Sequence, residues 1–292
     1  MTPDADILVR IRGALPSLRP AERRVADVIL VDPAAATELS ISALARQGTT
    51  SESTVMRLCR ALGLERFPEL RLALARAAIR EEARYGPESQ LSSDIGRSDS
   101  IEDIVRKIGF SDARAIEETT STLDIDALSR AVDAVARARR VDLYGIGASG
   151  FVCQDLHQKL HRIGLFASAW PDPHAALTSA ALLTSDDVAV GISHTGTTID
   201  TVEPLRVAAE RGATTIAITN FGSSTIAEHA DLVLTTAARE TTFRSGATAS
   251  RIAQLAVVDC LFVAVAQRSY DKTMQALGNT YAAVRDRRYP SR

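Results

Sequence analysis

Two short stretches carry residue types whose spacing suits the binding of an anion. Gly145-Ile146-Gly147-Ala148-Ser149-Gly150 follows an apolar run and opens a helix-like segment, and Ser193-His194-Thr195-Gly196-Thr197-Thr198 does the same further on. A helix start offers unpaired backbone amides and the positive end of the helix dipole. Glycines such as Gly147 and Gly196 let the backbone come close to a ligand. The hydroxyls of Ser193, Thr195, Thr197 and Thr198 are placed to wrap a phosphate.

Other chemistry fits less well. The first stretch satisfies the G-x-G-x-x-G dinucleotide fingerprint, with Asp172 as the acid that would meet a ribose. A dinucleotide site has no use for the second hydroxyl-rich turn, which favours a sugar phosphate. Isomerase or lyase chemistry needs a positioned acid or base; Glu240, His174 and His194 are the nearby candidates, and no convincing pair emerges, so binding without catalysis is expected. His157 and His161 stand four apart in HQKLH, but Gln158 occupies the place of a zinc protease's glutamate and no third ligand is evident. No metal and no cofactor are expected, and the pair is read as lining the sheet-facing or dimer side of its helix.

A second constellation lies in Ser40–Gly63. Ser40 is placed to cap a short helix carrying Ile41, Leu44 and Ala45; Gly48-Thr49-Thr50 makes a turn; Ser51 is placed to cap a second helix. That helix sets Val55, Leu58, Cys59 and Leu62 on one apolar stripe and turns Ser53, Thr54, Arg57 and Arg60 to the other side. A tight turn holding two helices at a steep angle, with Ala45 leaving room at their crossing, lets the second enter the major groove of double-stranded DNA. Ser51, Ser53, Thr54, Arg57 and Arg60 are then the DNA-contacting candidates. The alternative is a plain three-helix bundle whose arginines are a solvated face.

The elements that must position these groups fall into two blocks. Residues 1–80 show helical spacing throughout, through Val25-Val28-Ile29 and again through Leu70-Leu74, with Asp32-Pro33 ending one helix. Residues 81–100 are polar, with Gly, Pro and five serines, and read as a linker. Residues 101–140 are helical in two pieces split near Thr122–Asp124, the second an Ala-rich brace or dimer seam. From Val141 four apolar runs (VDLYGIG, DVAVGIS, TTIAITN, DLVLTT) alternate with amphipathic segments at Phe151–Ile163 and Thr201–Arg211, which Gly164 and Gly212 end. Strand alternating with helix implies a parallel sheet covered on both faces. The expected architecture is thus an all-α helix-turn-helix domain (1–80), a linker, and an α/β domain with an N-terminal helical extension (101–292).

Bulk properties fit a two-domain globular chain. Of 292 residues, 46% are hydrophobic and 4% aromatic, so the cores must be aliphatic. Three scattered cysteines, Cys59, Cys153 and Cys260, and the lack of a signal-like or membrane-length apolar run point to the cytoplasm. The net charge of −2 is unevenly spread: residues 1–80 hold twelve arginines against nine acids, a modest basic excess where phosphates would be met.

The motifs A-E-R-R-V-A (21–26), S-E-S-T-V-M-R (51–57) and L-G-L-E-R-F-P-E-L (62–70) resemble the N-terminal domain of the RpiR/MurR family of bacterial sugar-metabolism regulators. Glycine stands at Gly48, one place before the turn position it usually takes, which here is Thr49. YGIGASG, GISHTGTT, ATTIAITN and RSGATASRIAQLAVVD resemble the sugar-isomerase (SIS) domain that follows in the same family, a flavodoxin-like three-layer sandwich. The resemblance implies a homodimer, or a tetramer of paired dimers, that binds an operator under control of a sugar or amino-sugar phosphate. The phosphate is implied to sit on Ser193, Thr195, Gly196, Thr197 and Thr198, with Ser149 covering it. His194 stands where the family's S-x-S-G-x-T is variable and reaches solvent or sugar. His174 and the stretch holding Glu240, Arg244 and Ser245 are implied to approach the ligand.

Overall fold

The computed structural model describes residues 6–15, 17–85, 95–240 and 248–285. Its first block is helical: α1 (Ile7–Ala14), α2 (Pro20–Val31), α3 (Pro33–Glu38), α4 (Ile41–Gln47), α5 (Glu52–Ala61) and α6 (Phe67–Tyr85). Local chemistry sets the boundaries. The Asp6 carboxylate accepts from the Leu8 amide at 2.8 Å and starts α1. Asp32, which cannot stay helical before Pro33, ends α2 and caps α3 by accepting from the Ala35 amide at 2.9 Å. The helices close on Ile11, Val25, Ala26, Ile29, Leu44, Val55, Leu58, Cys59 and Leu70, all fully buried. Each large aliphatic side chain so buried contributes about 1.5–3 kcal/mol. Helix α6 runs on to Tyr85, into the stretch expected to be linker, and residues 86–94 lie outside the described residues.

Two helices precede the sheet. In α7 (Ile101–Thr122), Ser100 and Asp103 cap each other reciprocally; α8 (Ile125–Arg137) starts where Asp124 accepts from the Ala127 amide at 2.9 Å. There follow β1 (Val141–Tyr144), α9 (Ala148–Arg162), β2 (Ala167–Trp170), α10 (Pro173–Ala180), β3 (Val188–Ile192), α11 (Ile199–Glu210), β4 (Thr214–Thr219), a 3₁₀ turn (Thr225–His229), β5 (Leu232–Thr235), α12 (Ala249–Arg268) and α13 (Tyr270–Val284).

The five strands form one parallel sheet in the order β2-β1-β3-β4-β5. One face packs against α8, α9 and α12 through Val132, Val135, Leu156, Leu160, Val258 and Leu261; the other packs against α10 and α11 through Ala176, Ala180, Leu205 and Ala208. The strand β2 was not expected: Ala-Ser-Ala-Trp has no β-branched residue, and its extended form comes from pairing with β1 along the sheet's edge. Contrary to the expectation that the chain lacks a membrane-length apolar run, helix α12 is long and apolar enough to cross a membrane by length and composition. Here it packs along α7, α8 and α9.

Candidate functional sites

Strand order places the first site. Going out from β1, the chain moves to β2 on one side; from β3 it moves to β4 on the other. The strands β1 and β3 are neighbours, registered Tyr144 against Gly191, so the turns after them sit together at the point where the winding reverses, the usual ligand crevice of an open α/β sheet. The turn after β1 opens α9 with Gly147 at φ +61 as the residue before its first turn. A Cβ at Gly145 would lie 2.8 Å from the Cys153 sulfur, so the absent side chain is what lets α9 come down onto the strand.

The turn after β3 is fixed by its own hydroxyls. The Gly196 amide donates to Ser193 Oγ at 3.1 Å, Ser193 Oγ lies 3.3 Å from Thr198 Oγ1, and Thr197 Oγ1 donates to Thr195 Oγ1 at 3.0 Å. Gly196 has φ +66, and an added Cβ would fall 2.0 Å from Ser224 Oγ, so neither the backbone conformation nor the space admits a side chain. Its carbonyl accepts from the Ile226 amide at 2.9 Å, which ties the turn to the 3₁₀ segment. Ser193 is buried, Thr198 half-buried, and Thr195 and Thr197 are exposed. The result is a small bowl of backbone and hydroxyl groups at a helix start, suited to a phosphate dianion.

Several polar groups stand around this bowl. His194 is half-buried with its ring edge-on to Phe221, centroids 5.6 Å apart. Burial lowers its pKa against the opposing pull of Glu240, so it is a neutral imidazole at neutral pH. Glu240 bonds to the Ser250 hydroxyl at the start of α12, and Ser149 Oγ donates to Gln254 Oε1 at 3.2 Å. Gln254, Asn220 and Phe221 escaped sequence reasoning. Gln254 had a visible signal, being a polar residue deep in the apolar α12. His174 is exposed in the first turn of α10, and Arg244 and Ser245 lie outside the described residues. Asp172, the ribose-acid candidate, caps α10 by accepting from the Ala175 amide at 2.8 Å. His157 and His161 stack at 5.9 Å, and His157 Nδ1 lies 2.8 Å from the Ala167 carbonyl, so His157 braces β2.

The second site is the pair α4–α5. Ser40 Oγ accepts from the Ala43 amide at 3.2 Å, as expected of a cap. The turn departs from expectation in an informative way. A Cβ at Gly48 would meet Val25 Cγ2 at 3.2 Å, so glycine is held there by close approach to α2, and the left-handed position passes to Thr49 at φ +50. Arg24 of α2 locks this turn, donating to the Gly48 and Thr49 carbonyls at 3.1 and 3.2 Å. On α5 the stripe Val55, Leu58, Cys59 and Leu62 is buried, and burial pushes the Cys59 thiol up to about 11. Two expectations are corrected. Ser51 bonds to the Ser53 and Thr54 hydroxyls in place of a backbone amide. Thr54 is 2% exposed and accepts from Arg57 Nη2 at 2.9 Å, so it steadies Arg57 and does not face a groove. Arg57 also reaches Glu22 Oε1 at 3.0 Å. The Glu22 side chain is only 8% exposed, so its carboxylate is held by Arg57 and by the Arg19 amide at 3.1 Å, and a move of Arg57 away from it would leave a buried charge with one partner fewer. Ser53 and Arg60 are exposed.

A helix-turn-helix joined to a doubly wound α/β domain with a hydroxyl-rich turn at its reversal point is the build of a two-domain transcriptional regulator. Residues 5–80 match the helix-turn-helix domain of the rpiR family, and residues 134–264 match the SIS domain. The chain is 40% identical over 275 residues to the uncharacterised HTH-type transcriptional regulator TTE0211 of Caldanaerobacter subterraneus, covering 94% of this chain and 95% of that one. It is 33% identical over 245 residues to the HTH-type transcriptional regulator RpiR of Escherichia coli K12, covering 84% and 81%. Among solved structures it is similar to the Vibrio vulnificus NanR protein complexed with ManNAc-6P, with TM-score 0.61, 28% identity, and coverage of 97% of this chain and 100% of that one. The protein belongs to the RpiR family of HTH-type transcriptional regulators. The expectation of a regulator in place of an isomerase stands on these relatives' names.

Proposed function

We propose that this regulator binds a DNA operator of sugar or amino-sugar metabolism genes and that a sugar phosphate held in the α/β domain sets its affinity. The observation that carries the reading is the bowl at the β1/β3 reversal, closed around a Gly196 that tolerates no side chain and lined by Ser193, Thr195, Thr197 and Thr198. The neighbouring NanR structure holds ManNAc-6P, a phosphorylated amino sugar, which supports the same ligand class here. Gly147, Ser149, His194 and Glu240 line the sugar side. Ser53, Arg57 and Arg60 meet DNA, with Ser51 and Thr54 shaping the start of α5. Two recognition helices reading two half-sites call for a homodimer, and both partners place the protein's work in the cytoplasm.

The test is fluorescence anisotropy of the full chain on DNA from upstream of its own gene. It is run at several salt concentrations, with and without a panel of sugar phosphates. The expected result is binding that weakens steeply with salt, because phosphate contacts release counterions, and that one sugar phosphate changes while the unphosphorylated sugar does not. Salt-insensitive binding, or indifference to every sugar phosphate, would overturn the proposal.

A further inference from the structure

The two domains meet through buried charge. Arg12, on the inner side of α1, is 9% exposed although it is an arginine. Its Nη1 lies 2.8 Å from Glu118 Oε2 on α7, 106 residues away in sequence. The other Glu118 oxygen accepts from Arg114 Nε at 2.7 Å and from Arg239 Nη2 at 3.2 Å. One carboxylate thus joins the DNA-binding domain to the α/β domain. Burial alone would raise the Glu118 carboxyl, but the Arg12, Arg239 and Arg114 charges outweigh it and hold the group down at about 2. Glu118 is therefore charged at any physiological pH.

Arg239 stands next to Glu240, at the sugar side of the bowl, and its segment is bonded at both ends of this path. The Ala237 amide donates to Thr119 Oγ1 at 3.0 Å, so the segment rides on α7 beside Glu118. The Ala238 amide and the Thr236 hydroxyl both donate to Asn220 Oδ1, at 2.8 and 3.1 Å. The Asn220 amide donates to the His194 carbonyl at 3.1 Å, inside the phosphate turn. Ala115, Ala238, Ala249 and Ala253 pack between them as one small apolar cluster, which joins α7, the segment after β5 and the start of α12. A continuous set of bonds runs from His194 through Asn220, Ala238 and Arg239 to Glu118 and Arg12.

We propose that Glu118 is the joint through which the occupied or empty state of the α/β domain's bowl reaches the DNA-binding domain, by its shared grip on Arg239 and Arg12. The proposal rests on the reading that the bowl binds a sugar phosphate. A ligand seated against His194 and Glu240 shifts the segment that carries Arg239. Glu118 then holds Arg12 differently, and α1, packed into the helix-turn-helix core through Ile7, Leu8 and Ile11, follows. A buried arginine that loses its carboxylate is costly, so the joint has discrete settings and does not slide.

The experiment is amide hydrogen exchange on the full chain, in wild type and in Glu118→Gln, with and without glucose 6-phosphate, fructose 6-phosphate and N-acetylmannosamine 6-phosphate in turn. In wild type, the sugar phosphate that binds should slow exchange in residues 193–198 and change exchange in residues 7–14 by about 5-fold or more, the low end of ordinary site-to-site coupling. In Glu118→Gln, residues 193–198 should still be protected while residues 7–14 no longer respond. Should that variant fold poorly, Glu118→Gln combined with Arg12→Met removes both charges of the pair and is expected to show the same uncoupling. Protection at 193–198 without any response at 7–14 in wild type overturns the inference alone. So does a response at 7–14 that survives the loss of Glu118. No protection at 193–198 with any sugar phosphate overturns the functional reading, and the inference with it.

Discussion

Gly196→Ala is the substitution for which the structure gives the clearest magnitude. Two costs arise. At φ +66 an alanine sits in the left-handed region, at about 1–2 kcal/mol. Its Cβ would also lie 2.0 Å from Ser224 Oγ, 2.6 Å from Ser224 Cβ and 2.9 Å from Thr219 Oγ1. Rotating the Ser224 hydroxyl away does not help enough, because it already donates to the Phe221 carbonyl at 2.6 Å and its Cβ stays in the way. The backbone must move, and overpacking of this kind costs about 1–3 kcal/mol. The total of about 2–5 kcal/mol divides between lost folding stability and lost phosphate affinity, since the turn can relax only by spoiling the bowl. Urea unfolding and calorimetric titration with the cognate sugar phosphate read the two shares. Adding Ser224→Gly removes both Ser224 contacts and should return most of the steric part, leaving the backbone cost of about 1–2 kcal/mol and the contact with Thr219 Oγ1. A Gly196→Ala protein within about 0.5 kcal/mol of wild type in stability, with unchanged ligand affinity, would refute the reasoning.

Two further outcomes are expected. Thr49 holds φ +50 at an exposed turn. Thr49→Gly should relieve the strain, offset in part by the freer unfolded chain, for a net gain of up to about 1 kcal/mol. A lowered melting temperature would show that the threonine side chain contributes more than its backbone costs. The Glu118 carboxyl, held down to about 2 from 4.5, contributes stability that is fully present above pH 4.5 and is lost as pH falls toward 2, where the folded state is protonated as well. That shift corresponds to about 3 kcal/mol. Urea titrations at descending pH should show a loss across this window that Glu118→Gln flattens, and identical pH profiles for the two proteins would contradict the assignment.

What the sequence determined by itself was whatever depends on near neighbours along the chain. The stripe Val55, Leu58, Cys59 and Leu62 was legible because helical period alone puts it on one face, and the core covers that face. The glycines and hydroxyls of 145–150 and 193–198 were legible because a strand-to-helix turn that approaches an anion needs those residue types in a row. The alternation of strand and helix sufficed for a parallel sheet, though not for β2, where Trp170 alone of four residues favours a strand and none is β-branched. Tertiary structure decided the rest. Thr54 and Arg57 read alike on a helical wheel, yet Glu22 from α2 draws Arg57 over Thr54 and buries it. Thr49 carries the left-handed turn because Val25, distant in sequence, crowds Gly48. The Arg12–Glu118 pair spans two domains, and nothing in the spacing of either residue marks it. Helix period and turn chemistry are local and repeat in the sequence. The partner of a buried charge depends on which surfaces the fold brings together, and that is fixed only when the whole chain has packed.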